Sequence, residues 1–150
     1  LAAGAGQTII LDDGITLEIL WPERDMAGAE PNDASVVARL IYGETEFLLG
    51  GDAPSKVEDY LAGRYGASLA ADVLKLGHHG SKTSSSGYFL AAVRPEYAVI
   101  SAGRDNRYGH PHAEVLARLD NLKIPYFNTA KLGTITFTSD GRSVICPKCR

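Results

Sequence analysis

The four histidines of this chain fall into two tight groups, His78-His79 and His110-Pro111-His112. Imidazole is the side chain that gains and loses a proton near neutral pH, and its neutral form ligates metals. A buried strand has no structural need for two adjacent imidazoles at its tip, whereas a metal or phosphate site does. A carboxylate, Asp52, follows the pair Gly50-Gly51. Nitrogen and oxygen donors of this kind suit zinc or manganese. They also suit general acid–base chemistry on a phosphate ester.

Each candidate also has a plainer use. Asp52 either caps a helix beginning at Pro54 or ligates a metal, and the nearby histidines favour the ligand. In an extended chain His78 and His79 point to opposite faces, so only one of them shares a metal with Asp52 unless the chain turns there. His79 is the preferred ligand. His78 remains a second candidate ligand, or a group that moves a proton or touches a phosphate. Ser81 and Lys82 come directly after the histidines and are candidate phosphate contacts, while Thr83 to Ser86 read as a loop that solvates itself.

His110 and His112 have the His-x-His spacing of metal ligands. Extending the pattern to His-x-His-x-acid-His places Glu114 correctly but puts Val115 where the last histidine belongs. His110 is therefore read as a catalytic or substrate group, and His112 as a substrate contact or helix-entry residue. Tyr108 and Asn106 either build this loop or touch substrate. Arg104 and Arg107 add positive charge.

These residues need elements to position them. Gln7–Asp12 and Ile15–Trp21 read as a hairpin across Asp13-Gly14. A polar loop from Pro22 to Asp33 leads to strands at Ser35–Tyr42 and Glu46–Leu49. Pro54–Arg64 reads as a helix with Pro54 in its first turn and Val57, Tyr60 and Leu61 on one face. Then come a buried strand at Asp72–Gly77, a short helix at Ser86–Val93, a strand at Tyr97–Ala102 and a helix at Ala113–Leu122. Segments at Pro125–Asn128, Thr134–Thr138 and Ser143–Ile145 read as closing strands. The pattern is a mixed α/β (α+β) domain with a central βαβαβ unit. Its parallel strands end on one edge, where open sheets of this type place their sites. Asp52 and the histidines all follow strand ends, so they are expected to converge there.

Composition sets outer bounds. A chain of 150 residues with 45% hydrophobic and 22% charged side chains is long enough for one real core. Its formal net charge of −3 gives no global attraction to nucleic acid. No apolar run approaches the ~18 residues of a membrane span. Residue 1 is leucine, so the chain reads as a piece of a longer protein. Cys146 and Cys149 form half of a zinc ribbon or a redox dithiol, but no second pair exists and only Arg150 follows. Residues 146–150 read as a tail.

Three segments in order carry a resemblance. Phe47-Leu48-Leu49-Gly50-Gly51-Asp52, Leu74-Lys75-Leu76-Gly77-His78-His79-Gly80-Ser81 and Tyr108-Gly109-His110-Pro111-His112 resemble the C-terminal metallo-β-lactamase-like domain of ComEC-type DNA-uptake proteins. Arg94 to Ser101 and Asn32-Asp33-Ala34-Ser35 fit as well. The resemblance implies an αββα sandwich of which residues 1–145 form the C-terminal half. It implies two divalent metals, zinc or manganese, with Asp52 as the bridging ligand and the His78-His79 pair supplying a terminal one. It also implies a bacterial membrane channel whose extracytoplasmic domain hydrolyses the DNA strand that is not imported, with single-stranded DNA as partner.

That superfamily's main ligand motif, His-x-His-x-Asp-His, precedes these segments, and no histidine precedes Asp52 here. The chain alone is thus expected to bind metal weakly or not at all, to be inert, and to show an exposed apolar patch or dimerise. Two other readings compete. One is a DNA-binding module without catalysis, which the 8% aromatic content and the negative charge disfavour. The other is a hydrolase of small phosphodiesters such as phosphorylcholine esters.

Overall fold

The computed structural model describes residues 3–23 and 25–147. Strand β1 (Thr8–Asp12) pairs with β2 (Ile15–Trp21), followed by β3 (Val37–Tyr42) and β4 (Thr45–Leu49). Helix α1 (Ser55–Tyr65), strand β5 (Val73–Lys75), helix α2 (Gly87–Val93), strand β6 (Tyr97–Ile100), helix α3 (Ala113–Asn121) and strand β7 (Tyr126–Asn128) come next. A short helix α4 (Thr129–Leu132) and the small strands β8 (Thr138–Ser139) and β9 (Val144–Ile145) close the chain. Seven strands form one mixed sheet in chain order, β1 to β7. The first four are antiparallel, and β4 to β7 run parallel. The fold is therefore mixed α and β, with the parallel unit that the sequence pattern calls for.

The reason is local. Turns at Asp13-Gly14 and Gly43-Glu44 let successive strands pair antiparallel. Beyond β4 each connection carries a helix with an apolar stripe, which forces a parallel return. Leu48, Leu74 and Ala98 are neighbours across β4, β5 and β6 and are fully buried. They pack with Val57 and Leu61 of α1, Phe89, Leu90 and Val93 of α2, and Val115 and Leu119 of α3. Burial of each such side chain stabilises by roughly 1.5–3 kcal/mol.

The alternate residues of the same strands face the other way. Leu40, Phe47, Leu49, Val73 and Val99 line a cavity of about 600 Å³ on that second face, partly roofed by Ile135, Phe137 and Ser139. Leu49 remains 38% exposed.

Several expectations need correction. Pro54 is the N-cap of α1, in extended conformation, and not part of its first turn. Tyr60 is 41% exposed, while Glu58 takes its place on the buried face at 1%. Strand β5 is three residues long because the chain turns at Gly77. Of the segment expected at Thr134–Thr138, only Thr138 is in a strand. Strands β8 and β9 form their own small sheet and do not extend the main one. The Thr45 and Ser139 hydroxyls, 2.7 Å apart, tie that small sheet to the main one. The Asn128 side chain accepts from the Ala130 amide and starts α4, between two segments expected as strands.

Candidate active site

The carboxyl ends of β4, β5 and β6 share one edge of the sheet, and every candidate residue sits on that edge. After β4, Gly50 and Gly51 turn the chain so that Asp52 faces the end of β5. The Asp52 amide donates to Ser35 Oγ at 3.1 Å, and the His78 amide donates to Gly51 O at 3.0 Å. These bonds lock the aspartate turn to the histidine turn.

Residues 77–80 form a tight, kinked turn in which His78 and His79 both adopt left-handed conformations, with φ of 47° and 57°. A non-glycine residue in this region is uncommon, and two in succession mark a specified backbone. The opposite-face expectation for the histidine pair is therefore corrected. The turn puts both rings on the same side, 6.5 Å apart between centroids. Gly80 follows at φ +82°, and a Cβ there would stand 2.8 Å from Pro111 Cβ. Only glycine lets the His110-Pro111-His112 segment approach this closely.

His79 Nε2 lies 3.5 Å from Asp52 Oδ1. Its other ring nitrogen, Nδ1, donates to Ser101 O at 2.7 Å. That carbonyl fixes the tautomer and leaves the Nε2 lone pair directed toward Asp52, the way a metal-ligating histidine is usually oriented. His110 joins from the β6–α3 connection. Its ring centroid is 5.6 Å from that of His78 and 6.4 Å from that of His79. Tyr108 stacks on it at 5.7 Å. Asn106 holds the loop, accepting from the His110 amide at 2.8 Å and donating to His110 O at 2.7 Å. His79, Ser101, Asn106, Tyr108 and His110 line a cleft of about 420 Å³.

Burial lowers the affinity of His110 for a proton, and the neighbouring His112, His78 and His79 lower it further, against the opposing pull of Asp52. A ring kept neutral is free to accept a proton or a ligand. His112 is the N-cap of α3, as the helix-entry reading expects. Its Nδ1 accepts from the Lys82 amide at 3.2 Å. Lys82 itself is exposed.

Ser81 is buried, and its hydroxyl lies 3.0 Å from that of Thr83, so its side chain is engaged inside the loop. Ser84 and Ser85 are fully buried, which corrects the picture of a self-solvating loop. The sequence reading passed over Glu58 and Ser101. Glu58 stands four residues before Ala62 and beside the Val57–Leu61 pair on the buried stripe of α1, but helical spacing alone does not mark a glutamate as buried.

Asp52 and His79 provide two convergent donors. Among the described residues, no group of three or more His, Cys, Asp or Glu side chains is placed to hold a metal ion. A closed tetrahedral site takes four ligands, so these two donors fit part of such a set. Cys146 is disulfide-bonded, and Cys149 lies outside the described residues.

The chain has curated relatives over most of its length. It is 43% identical over 125 residues to Competence protein ComA of Neisseria gonorrhoeae, covering 83% of this chain and 18% of that protein. It is 42% identical over 122 residues to Recombination protein 2 of Haemophilus influenzae, covering 81% and 15%. It is 38% identical over 114 residues to ComE operon protein 3 of Bacillus subtilis, covering 76% and 15%. These proteins are homologues, and the chain spans less than a fifth of their length. No protein-family model matches it. Among the described residues no helix is long and apolar enough to cross a membrane.

Proposed function

We propose that this chain is the C-terminal half of a metallo-β-lactamase-like hydrolase domain in a competence protein of the bacterial membrane. The intact domain, on the extracytoplasmic side, cleaves phosphodiester bonds in the DNA strand that is not imported. One observation carries the reading. Asp52 and His79 follow different strands yet meet at 3.5 Å, with the far nitrogen of His79 anchored on Ser101 O. Three homologues support the biological setting, one named a competence protein, one a recombination protein and one a ComE operon protein.

In this reading Asp52 and His79 hold metal together with ligands supplied by the rest of the domain. His78 is a further ligand candidate. When bound, zinc or manganese supplies an activated water and positive charge for the phosphate. His110, held neutral, accepts or returns a proton beside the scissile bond. Lys82, Tyr108 and His112 line the approach of the strand. Ser81 supports the loop from inside. The apolar sheet face receives the missing half of the domain. The net charge of −3 argues against a module that holds DNA through charge alone.

The test is cleavage of end-labelled single-stranded DNA by the intact parent protein with zinc or manganese, beside a small phosphodiester. Metal-dependent cutting of DNA that Asp52→Ala abolishes supports the proposal. An Asp52→Ala parent that cuts at the wild-type rate overturns it, and a marked preference for the small ester redirects it to that substrate class. Calorimetric titration of the isolated chain with zinc should show no tight stoichiometric site. A tight site that survives replacement of Cys146 and Cys149 by serine would show that the ligand set is already complete.

A further inference from the structure

Beneath the histidine turn lies a pair of charged residues that touches none of the reacting groups. Glu58 on α1 is 1% exposed. Its Oε2 accepts from the Ser86 amide at 3.1 Å. Its Oε1 has no hydrogen-bond partner among the described residues. That oxygen lies 3.0 Å from the point where a Cβ on Gly77 would sit, and Ala53 O is 3.2 Å from the same point. Glu58 thus fills the slot between the residue after Asp52 and the residue before His78.

Arg118 on α3 holds the same loop. Its Nη1 donates to Ser84 O and to Ser85 O, both at 3.1 Å. Ser85 between these contacts is in the left-handed region, at φ 56°. The Ser84 hydroxyl lies 2.8 Å from Gly77 O and 3.0 Å from Ser81 O, linking the clamped loop to both ends of the histidine turn.

We propose that Glu58 and Arg118 are positioning residues that together hold the Ser84–Ser86 segment and thereby set His78 and His79 against Asp52. Isolated carboxylates are seldom buried this deeply without a reason. Burial pushes the Glu58 carboxyl up to about 7, and neighbouring Asp59 adds to this, while the Ser85 and Ser86 amides and Arg118 pull it down. The carboxylate meets the Ser86 amide and lies against Gly77, in the segments that follow and enter the histidine turn. The inference deepens the hydrolase reading but reads ring geometry, not cleavage, so either can fail without the other.

The test uses this 150-residue chain and NMR of the histidine rings, with sheet amides as the control for folding. Glu58→Ala and Arg118→Ala should shift the His78 and His79 ring signals and lose the Nδ1–H tautomer of His79, while β4–β6 amides hold. Glu58→Gln, which keeps the shape and the acceptor for Ser86, should restore the wild-type ring signals. Ala variants that fold with unchanged ring signals overturn the proposal. If they fail to fold, Glu58→Asp, which draws the carboxylate back from the Ser86 amide, is a milder loss of the same contact. It should move the same ring signals in the same direction. Unmoved ring signals in a folded Glu58→Asp chain overturn the proposal as well.

Discussion

The two faces of the main sheet are made from alternating residues of the same strands, yet they differ sharply. Leu48, Leu74 and Ala98 point into a sealed helical layer and have no exposed surface. Phe47, Leu49, Val73 and Val99 point into an open cavity with only a thin cover. An apolar face of this kind normally packs on a second layer. The site lies at the edge where the two faces meet. The backbone of the histidine turn is fixed by its bonds to Gly51 O and the Ser84 hydroxyl, while the Asp52 and His79 side chains stay nearly half exposed.

The largest effect that sharpens this contrast is a paired truncation. Leu74→Ala should lower the unfolding free energy of the chain by about 2–5 kcal/mol, because it leaves a cavity in the sealed layer. Leu49→Ala, one strand away on the open face, should cost less than about 1 kcal/mol. Urea unfolding followed by circular dichroism measures both. Equal losses would mean that the open face is as well packed as the helical one.

Much of this asymmetry was legible in the sequence. The strands at Glu46–Leu49 and Tyr97–Ala102, the turn at Asp13-Gly14 and the helices at Ser86–Val93 and Ala113–Leu122 each rest on local signals, so the reading and the structure agree there. The clustering of the four imidazoles and the approach of His79 to Asp52 were legible too, because parallel strands align their ends. The direction of His78 and His79 was not legible. Strand geometry predicts opposite faces, and only the left-handed turn held by Gly51 O and the Ser84 hydroxyl reverses this. Glu58 was not legible as a core residue either, since a glutamate on a helix is usually solvated. Its partners lie 28 residues away in sequence. The strand expected at Thr134–Thr138 was shortened because its pairing partner is a two-residue strand, not the main sheet.

The next effect concerns the clamp beneath the site and depends on pH. The Glu58 carboxyl is raised from 4.5 to about 7 by burial, so the folded state binds its proton more tightly than the unfolded state. Its contribution is present in full below about 4.5 and is lost as pH rises through about 7, a change on the order of 3 kcal/mol at most. His110 has the opposite sign. Its affinity for a proton is lowered in the fold, so its contribution is lost as pH falls below its ordinary value of 6.5. Glu58→Gln should therefore remove the loss of stability on raising the pH and expose the shallower opposite slope from His110. Urea midpoints between pH 5 and pH 8, roughly the window in which these groups change charge, check both signs. A wild-type curve identical to that of Glu58→Gln would show that the carboxyl does not titrate in this window.

The smallest effect on folding belongs to the residue with the largest proposed effect on chemistry. Asp52 and His79 are each nearly half exposed at the side chain, and they meet only at 3.5 Å. An exposed pair of this kind contributes little to stability, commonly about 0–1 kcal/mol. The Asp52 turn is held by backbone and by Ser35, not by the carboxylate. Asp52→Asn should thus leave the urea midpoint of the chain within about 0.5 kcal/mol of wild type. In the intact parent protein the same change should abolish metal-dependent cleavage. A residue that costs the fold almost nothing, and whose turn is fixed without its own side chain, is placed for something other than stability. If Asp52→Asn instead unfolds the chain, the aspartate is a structural cap, and the contrast between a framework built from one face and a site left open to the other loses its central member.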